Sequence, residues 1–503
     1  MIELREYQKQ AIVQTKEALA QFDRVCAVMP TGAGKSTVFS RFVQICIRNK
    51  KRVLFFVHSK ELVEQFAQCL IMQFDIPSGI IMSKIKPKPH RLVQVASVQT
   101  LVRRERPEAD VVIIDECHRS KAKSYEKIIS WYPKAKIIGL TATPFRADGK
   151  PLGEIYQNIV HPVKIRELME MGYLVPTKVF VPKQSVNMEG VKTKAGDYDI
   201  GEMANRFSDN GVVDGVVENY LKFAKGKKMI VFNVNVEHSK LVNNKFLENG
   251  IPSAHLDGTT SKAIRSQIIN QFRNDEIRVL NNVALFTEGF DVPDTDGVIL
   301  NRATKSEGLY VQMVGRGLRL AEGKTECIVL DHGDNTIRFG FVEDYDQRPF
   351  KLNEKKQERE SKPRKCKQCN QGIMKHTHTD EEKIYSACTS CGFEMSRERK
   401  KKLNLGESAE FVLLERDAIV VEKLYKAPYS KVKQGKIPLS ELRLYEKLKK
   451  YKKGWSVHAA IDSGLVDVDK DNPNAFKEVN FILSMAEKQA DTERILKEIN
   501  EQS

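Results

Sequence analysis

The sequence contains no long apolar run. None of its 503 residues lies in a stretch that approaches the roughly 18 consecutive apolar residues a helix needs to cross a bilayer. Residues 1–5, MIELR, include an acidic and a basic side chain and do not begin the apolar core of a signal peptide. We therefore do not expect this chain to be a membrane-spanning or secreted protein. The sequence predicts a cytoplasmic location with no membrane partner.

Cysteine is scarce, with nine in the chain, which is too few and too scattered for a disulfide framework. Four of the nine are clustered: Cys366 and Cys369, then eighteen residues, then Cys388 and Cys391. This spacing is typical of a zinc ribbon, in which two thiolates from each pair complete a closed, structural Zn²⁺ site. Coincidental spacing or cytosolic disulfides are the alternative interpretations.

Acidic residues are outnumbered. The chain has 82 Lys and Arg against 66 Asp and Glu, a formal net charge of +16. Such an excess favours a polyanionic partner such as nucleic acid, although a basic surface can also serve solubility alone. A chain of this length is also too long for one hydrophobic core, so several domains are expected.

One glycine-containing loop carries most of the chemical information. Residues 29–37, MPTGAGKST, follow an apolar strand-type segment and precede a helical pattern. The glycines let the backbone approach phosphate, Lys35 adds a full positive charge, and the Ser36 hydroxyl can bind Mg²⁺. Met29 stands where the usual pattern begins with glycine. The predicted ATP contacts in this loop are Thr31, Gly32, Gly34, Lys35, Ser36 and Thr37.

A pair of acids supports this interpretation. Residues 111–114, VVII, have the pattern of a buried parallel strand, and Asp115 and Glu116 follow directly. Ligands of open α/β sheets bind at the carboxyl ends of the strands. Asp115 can hold Mg²⁺ there, and Glu116 can orient or deprotonate the attacking water. The alternative is an ordinary polar loop after a strand.

Short apolar segments alternate with helical patterns twice along the chain, which predicts an α/β protein with two tandem parallel-sheet domains. A segment rich in proline and glycine separates the two. A charged stretch with few apolar residues follows them, before the cysteine cluster. The predicted divisions are domain 1 (1–160), a connector (161–205), domain 2 (206–345), a basic linker (346–365), the zinc ribbon (366–395) and a helical C-terminal region (396–503).

Several further motifs occur in a fixed order with the loop and the acids. They are LREYQ (4–8), HSKEL (58–62), SVQT (97–100), DECH (115–118), TATP (141–144), DG (257–258), TEGFDVP (287–293) and QMVGRGLR (312–319). Together they resemble the DExH branch of the superfamily 2 helicases and translocases over roughly residues 3–335. The resemblance implies two RecA-like domains with ATP bound between them.

The resemblance also implies roles for individual residues. Arg316 and Arg319, spaced i and i+3, would share one helix face and act as arginine fingers on the γ-phosphate. Arg5 and Gln8 would read adenine, although polar residues also commonly begin an amphipathic helix. Gly289 and Asp291 would contact the nucleotide sugar. Coupling of hydrolysis to strand binding is implied for His118, Thr141, Thr143 and Gln312, and nucleic-acid contacts for Ser59, Lys60, Gln99 and Thr100.

Cys117 gives the sequence DECH, which is found in restriction-enzyme translocases and RadD-like repair helicases. The resemblance therefore implies a DNA helicase or translocase in repair, recombination or replication, acting on single-stranded or branched DNA in a bacterial or phage-infected cell. An RNA helicase, an ATP-switched DNA-binding scaffold and a restriction motor subunit are the alternatives. Residues 425–453 are basic and 454–503 acidic, so the C-terminal region either binds a protein partner or folds on itself.

Overall fold

The computed structural model describes most of the first 347 residues and shorter pieces of the remainder. The described residues are 3–83, 85–104, 106–120, 123–144, 152–182, 186–194, 196–286, 295–347, 350, 352, 374–379, 383–388, 391, 393–398, 411–414, 455–462, 479 and 483. The chain forms two compact units, Met1–Leu413 and Leu414–Ser503.

The first lobe is built on a seven-stranded parallel sheet with the strand order β3-β4-β2-β5-β6-β1-β7. Its strands are β1 (Arg24–Val28), β2 (Val53–Val57), β3 (Gly79–Ile81), β4 (Val93–Ser97), β5 (Val111–Ile114), β6 (Lys136–Thr141) and β7 (Asn158–Val160). Its helices are α1 (Glu6–Gln21), α2 (Lys35–Arg48), α3 (Lys60–Phe74), α4 (Val98–Leu101) and α5 (Lys123–Ser130).

The central strands β2 and β5 are buried in the middle of the sheet because they are apolar on both faces. Every residue of β2, VLFFV, and of β5, VVII, is buried. Strands covered by helices on both sides read as continuous apolar runs, and β-branched residues favour the extended backbone. This burial holds the carboxyl ends of β1, β2, β4, β5 and β6 along one edge of the sheet, where the polar motifs follow.

The second lobe repeats this architecture with the strand order β12-β13-β11-β14-β15-β8-β19. Its strands are β8 (Thr177–Pro182), β11 (Met229–Asn233), β12 (Ser253–Leu256), β13 (Val279–Asn282), β14 (Gly297–Asn301), β15 (Cys327–Asp331) and β19 (Phe411–Leu413). Its helices are α8 (Asn210–Phe223), α9 (Val236–Glu248), α10 (Lys262–Arg273), α11 (Glu307–Val314) and α12 (Asn335–Phe339). All strand pairs are parallel except β19 with β8. The predicted pair of parallel-sheet α/β domains is confirmed.

The segment predicted as a connector contains more regular structure than its glycines and prolines indicate. It includes α6 (Ile165–Glu170), the hairpin strands β9 (Thr193–Lys194) and β10 (Asp197–Tyr198), and α7 (Ile200–Phe207). It also supplies β8, which pairs with β15 in the second sheet. The second lobe therefore begins its sheet before residue 206. Proline lies immediately before β8 and at its last residue, which obscures the strand pattern.

After the second lobe the chain returns to the first. Phe350 and Leu352 pack against the apolar core of the first lobe, and the Leu352 carbonyl accepts a hydrogen bond of 3.0 Å from Gly153 N. Farther along, β19 pairs antiparallel with β8 in the second lobe. The chain between residues 352 and 411 is therefore attached to the first lobe at one end and to the second lobe at the other.

A small three-stranded antiparallel sheet lies in the region of the clustered cysteines. It consists of β16 (Met374–Thr379), β17 (Lys383–Cys388) and β18 (Glu394–Glu398). In the second compact unit the structure describes one helix, α13 (Trp455–Asp462). Among the described residues, no helix combines the length and apolarity needed to cross a membrane. The zinc ribbon and the helical C-terminal region stay predictions, because most of their residues lie outside the described ones.

Close backbone packing in the second lobe gives a test of this fold. A Cβ added to Gly297 in β14 would lie 2.1 Å from the Ile328 carbonyl oxygen of β15. We expect Gly297→Ala to lower the free energy of unfolding by about 1–3 kcal/mol, since backbone atoms must shift to accept it. Denaturation in urea followed by circular dichroism measures the change.

Gly258→Ala is the matched control, because a Cβ at Gly258 meets no heavy atom within 4 Å. Its expected change lies within about 0.5 kcal/mol. Equal effects of the two substitutions would contradict the strand register described for β14 and β15.

Candidate nucleotide-binding site

The loop between β1 and α2 has the backbone conformation of an anion-binding turn. Gly32 and Gly34 both have left-handed φ, at +88° and +75°, which glycine adopts without steric cost. Gly34 directly precedes α2, so the loop leads into the positive end of the helix dipole. Lys35, Ser36 and Thr37 form the first turn of that helix.

Lys35 lies at the centre of a cluster of charged side chains. Its Nζ donates a hydrogen bond of 3.1 Å to the Met29 carbonyl. Burial lowers the pKa of Lys35, the carboxylates of Glu116 and Asp115 oppose that shift, and the guanidinium groups of Arg316 and Arg319 add to it. The structure therefore brings the five residues predicted to be catalytic within electrostatic range of one another.

The two acids lie at the carboxyl end of β5. Glu116 has a left-handed φ of 49°, which is unfavourable for a residue with a side chain and is common at functional sites. Its backbone N–H donates to Asp115 Oδ1 at 3.0 Å. The two carboxylates therefore lie side by side in the chain at the end of the strand, where one can hold a metal ion and the other can orient water.

The two arginines do not share a helix face, so that part of the prediction is wrong. Helix α11 ends at Val314, and Gly315 and Gly317, both poor helix formers, follow it. Arg319 has left the helix and forms an isolated antiparallel β-bridge with Leu174. Burial lowers the pKa of Arg319. Both arginines nevertheless reach the region of Lys35.

A chain of polar contacts connects the acids to the second lobe. His118 Nδ1 lies 3.3 Å from Glu116 Oε2 and 3.2 Å from Thr141 Oγ1. Thr141 Oγ1 accepts from Thr143 N at 3.0 Å, and Thr143 Oγ1 accepts from Gln312 Nε2 at 3.5 Å. All four residues predicted to couple hydrolysis to strand binding therefore belong to one network that crosses between the lobes.

The start of α1 touches the phosphate loop through Gln8, one of the two residues predicted to read adenine, and through its neighbour Tyr7. Tyr7 Oη and Gln8 Nε2 both donate to the Ala33 carbonyl, at 3.1 and 3.3 Å. Gln8 Oε1 accepts from the backbone N–H of Arg5 at 3.1 Å. A Cβ at Gly34 would lie 2.6 Å from Gln8 Nε2, so the start of α1 and the loop are in close contact.

The two lobes meet directly at the phosphate loop. A Cβ at Gly315 would lie 2.9 Å from Thr31 Cβ, and one at Gly32 would lie 3.5 Å from Arg319 Cγ. Leu174 of the connector packs there as well, with its Cδ2 atom 2.9 Å from the position of a Cβ at Gly32. The sequence pattern gave no indication of Leu174, because its contacts join segments far apart in the chain.

The predicted nucleic-acid contacts follow two neighbouring strands. Ser59 and Lys60 come after β2, where Ser59 caps α3 by accepting from Leu62 N at 3.1 Å. Gln99 and Thr100 come after β4, and Thr100 Oγ1 accepts from Ser97 Oγ at 2.9 Å. Because β2 and β4 are adjacent and parallel, these residues share the edge of the sheet that carries the phosphate loop. Lys60 and Gln99 are exposed.

Ion pairs also join the lobes near this edge, between α3 and α10. Lys262 Nζ lies 2.8 Å from Glu64 Oε2, and Arg265 lies 3.5 Å from Glu61 Oε1. Sequence patterns cannot reveal such pairs, since the partners are about two hundred residues apart. Exposed pairs of this kind each contribute about 0–1 kcal/mol.

Some predicted site residues lie outside the described part of the chain. They are Gly289 and Asp291, assigned to the nucleotide sugar, and Cys366 and Cys369 of the predicted zinc site. Cys388 ends β17 and Cys391 lies in the turn before β18. Within the described residues, no group of three or more His, Cys, Asp or Glu side chains could hold a metal ion.

Comparison with known families agrees with this geometry. Residues 1–146 match the family described as "Type III restriction enzyme, res subunit", and residues 213–321 match "Helicase conserved C-terminal domain". The chain is 30% identical over 397 residues to the 51.5 kDa protein of a Lactococcus phage, covering 78% of this chain and 83% of that protein. The chain belongs to the superfamily 2 helicases.

Other relatives of this helicase are longer or more distant. IRC3 of Saccharomyces cerevisiae, whose name assigns it to the ATP-dependent helicases, is 32% identical over 351 residues, covering 65% of this chain and 51% of that protein. The chain thus spans about half the length of that relative. The DNA 3'-5' translocase XPB2 of Sulfurisphaera tokodaii is 27% identical over 360 residues, covering 63% of this chain and 79% of that protein.

Among solved structures, the helicase resembles the ATP-dependent Type ISP restriction-modification enzyme LlaBIII bound to DNA. The TM-score is 0.50 at 19% identity, covering 65% of this chain and 27% of that enzyme. At this identity the similarity concerns the fold alone, and it agrees with the two parallel-sheet lobes.

The left-handed glycines of the helicase give a test of the nucleotide site. We expect Gly34→Ala to weaken ATP binding at least about tenfold, because the added Cβ strains the loop and collides with Gln8. Displacement of a fluorescent ATP analogue measures the affinity.

Gly250→Ala is the matched control, since Gly250 also has a left-handed φ, +71°, but a Cβ there meets nothing within 4 Å. Both substitutions should cost about 1–2 kcal/mol of stability. Only the first should affect nucleotide binding, and equal affinities would count against the loop as the phosphate site.

Proposed function

We propose that this helicase is an ATP-dependent DNA helicase or translocase that remodels DNA in repair, recombination or replication. The observation that carries the proposal is that Arg316 and Arg319 from the second lobe lie within electrostatic range of Lys35, as do Asp115 and Glu116 from the first lobe. A site assembled from two lobes changes when the lobes separate. Hydrolysis at such a site can therefore drive relative motion of the lobes along a strand.

The residues at the site fit a magnesium-bound triphosphate. The Ser36 hydroxyl and the Asp115 carboxylate are oxygen donors of the kind Mg²⁺ prefers. When bound, the ion neutralises charge on the phosphates. Lys35 and the loop N–H groups hold the phosphates, and Glu116 orients the attacking water. Arg316 and Arg319 stabilise the negative charge that develops during transfer.

The polar network couples the hydrolysis site to the contact between the two lobes, and so to the nucleic acid that both lobes would bind. Thr143 contacts Gln312 across the lobes, and its neighbour Thr141 contacts His118 and so Glu116. A change in the approach of the lobes breaks or forms the contact between Thr143 and Gln312. The orientation of Glu116 then depends on whether the lobes are together, which links hydrolysis to the state of the strand that both lobes hold.

Three observations favour DNA as the polymer. The net charge of +16 suits a polyanion. The DECH sequence containing Cys117 resembles that of DNA translocases and not of RNA-remodelling DEAD-box enzymes. One relative is named a DNA translocase. The exposed Lys60 and Gln99, with Ser59 and Thr100, then contact the phosphodiester backbone, so binding does not depend on base sequence.

A motor subunit of a restriction complex is the second candidate. It is favoured by the match of residues 1–146 to the restriction-enzyme family. The nuclease or recognition activity would then belong to other subunits. Purification of the native protein with its partners, followed by sedimentation, distinguishes a lone motor from a subunit.

We further propose a structural zinc ribbon formed by the four clustered cysteines, as in the RadD-like helicases. Cys388 is the last residue of β17, and Cys391 lies three residues before Glu394, where β18 begins. Two cysteines separated by two residues suit a pair of thiolate ligands, and Cys366 and Cys369 would complete the tetrahedron. The basic residues that flank the cluster in the sequence, within 362–367 and 397–402, would supply positive charge for binding DNA phosphates.

The central test is an ATPase assay with different nucleic acids. We expect DNA to stimulate hydrolysis, and Lys35→Ala to reduce the stimulated rate about 10²–10³-fold, because an interaction with the transferred phosphoryl group is lost. Single-stranded, duplex, forked and four-way DNA are compared, with RNA as an alternative activator.

Lys16→Ala, an exposed lysine on α1, serves as the control and should behave as wild type. Stronger stimulation by RNA would favour an RNA helicase. Tight DNA binding with no stimulated hydrolysis would favour the ATP-switched scaffold.

Metal analysis tests the ribbon. We expect one Zn²⁺ per chain in protein purified without chelators, and its loss in Cys388→Ser, with the ATPase activity of the two lobes largely retained. Cys69→Ser, in which a half-buried cysteine of α3 is replaced, should keep the metal. Zinc-free wild-type protein would remove the ribbon from the proposal.

A further inference from the structure

Tyr173 lies next to the residues predicted to read adenine, although the chain places it in the connector. It is half-buried in the turn between α6 and β8. The Arg5 guanidinium carbon lies 4.1 Å from the centroid of the Tyr173 ring, within the range of a cation–π attraction. The Tyr7 ring is 5.4 Å away and tilted by 52°. Tyr173 thus extends the cluster formed by the start of α1.

The chain around Tyr173 is fixed on both lobes. Leu174 is buried against Gly32 of the phosphate loop and pairs with Arg319 in a β-bridge. The backbone N–H of Val175 donates to the Leu318 carbonyl at 2.9 Å. Tyr173 is therefore held in register with the phosphate loop and with the arginine on the second lobe.

The contact between the Arg5 guanidinium and the Tyr173 ring limits how Arg5 can bind a base. A separation of 4.1 Å is direct contact, so no base fits between the guanidinium and the Tyr173 ring. Arg5 is exposed, and its Nη1 atom donates to Tyr7 Oη at 3.5 Å. Because Tyr173 contacts one side of this exposed guanidinium, a stacked ligand must take the opposite side, and a planar cation stacks well on an aromatic base.

We propose that Tyr173 is a positioning residue for purine binding, which holds Arg5 as a platform on which adenine stacks beside Gln8. This inference rests on the proposed ATP-dependent function. The connector then contributes to nucleotide recognition, and the phosphate loop and the base platform are separate elements. Loss of Tyr173 should weaken the binding of the base and leave the binding of the phosphates unchanged.

Calorimetric titration of the full chain with ADP and with tripolyphosphate, which has no base, tests the separation. We expect Tyr173→Ala to raise the Kd for ADP about two- to fivefold, the effect of losing a cation–π contact at a partly exposed site. The Kd for tripolyphosphate should not change. Tyr173→Phe keeps the ring and should bind both ligands as wild type does.

Tyr198→Ala is the matched control. Tyr198 also lies in the connector, and its ring also contacts a cation, with Lys305 Nζ 4.7 Å from the ring centroid. Among the described contacts, however, Tyr198 touches neither the phosphate loop nor α1. The substitution Tyr198→Ala should therefore leave both dissociation constants unchanged. The purine role is overturned if Tyr173→Ala weakens both ligands equally, as a general structural defect would, or if it weakens neither.

The proposed function and the role of Tyr173 are tested by different measurements, so one can be contradicted without the other. If wild-type protein binds ADP and tripolyphosphate but no nucleic acid stimulates its ATP hydrolysis, the motor proposal is lost. The ratio of the two dissociation constants in Tyr173→Ala still decides the role of Tyr173.

Discussion

The accumulation of charge around Lys35 is the constraint on which the site depends. One ammonium and two guanidinium groups share a partly buried region with two carboxylates. Two of the three cations come from the second lobe, so bringing the lobes together brings like charges together in a medium where repulsion is strong. A bound triphosphate supplies the missing negative charge. The electrostatics alone therefore link nucleotide occupancy to the approach of the lobes.

The parallel sheets make this convergence possible. Because all strands of the first sheet point the same way, the segments after β1, β2, β4, β5 and β6 emerge at one edge. The phosphate loop, the acids and the threonines of residues 141–143 are distant in the chain and adjacent there. For this reason the sequence was enough to predict the strands and the edge at which these motifs lie: an apolar strand followed by a polar motif indicates both. The roles of the individual residues stay predictions.

Where local pattern and tertiary structure disagree, the sequence was a poorer guide. The spacing of Arg316 and Arg319 fits a helix, but Gly315 and Gly317 end the helix, and Arg319 pairs with the connector instead. Strand β8 is bounded by proline and was absorbed into the predicted connector. Tyr173 is a single aromatic residue in a turn, and its contact with Arg5 exists only after both lobes have folded. None of these features has a local periodic signal.

The path of the chain after the second lobe has a mechanical consequence. Leu352 is bound to the first lobe and Phe411 to the sheet of the second. These two residues therefore tie one stretch of chain to both lobes. In the proposed cycle, separation of the lobes would change the distance between these two anchor points.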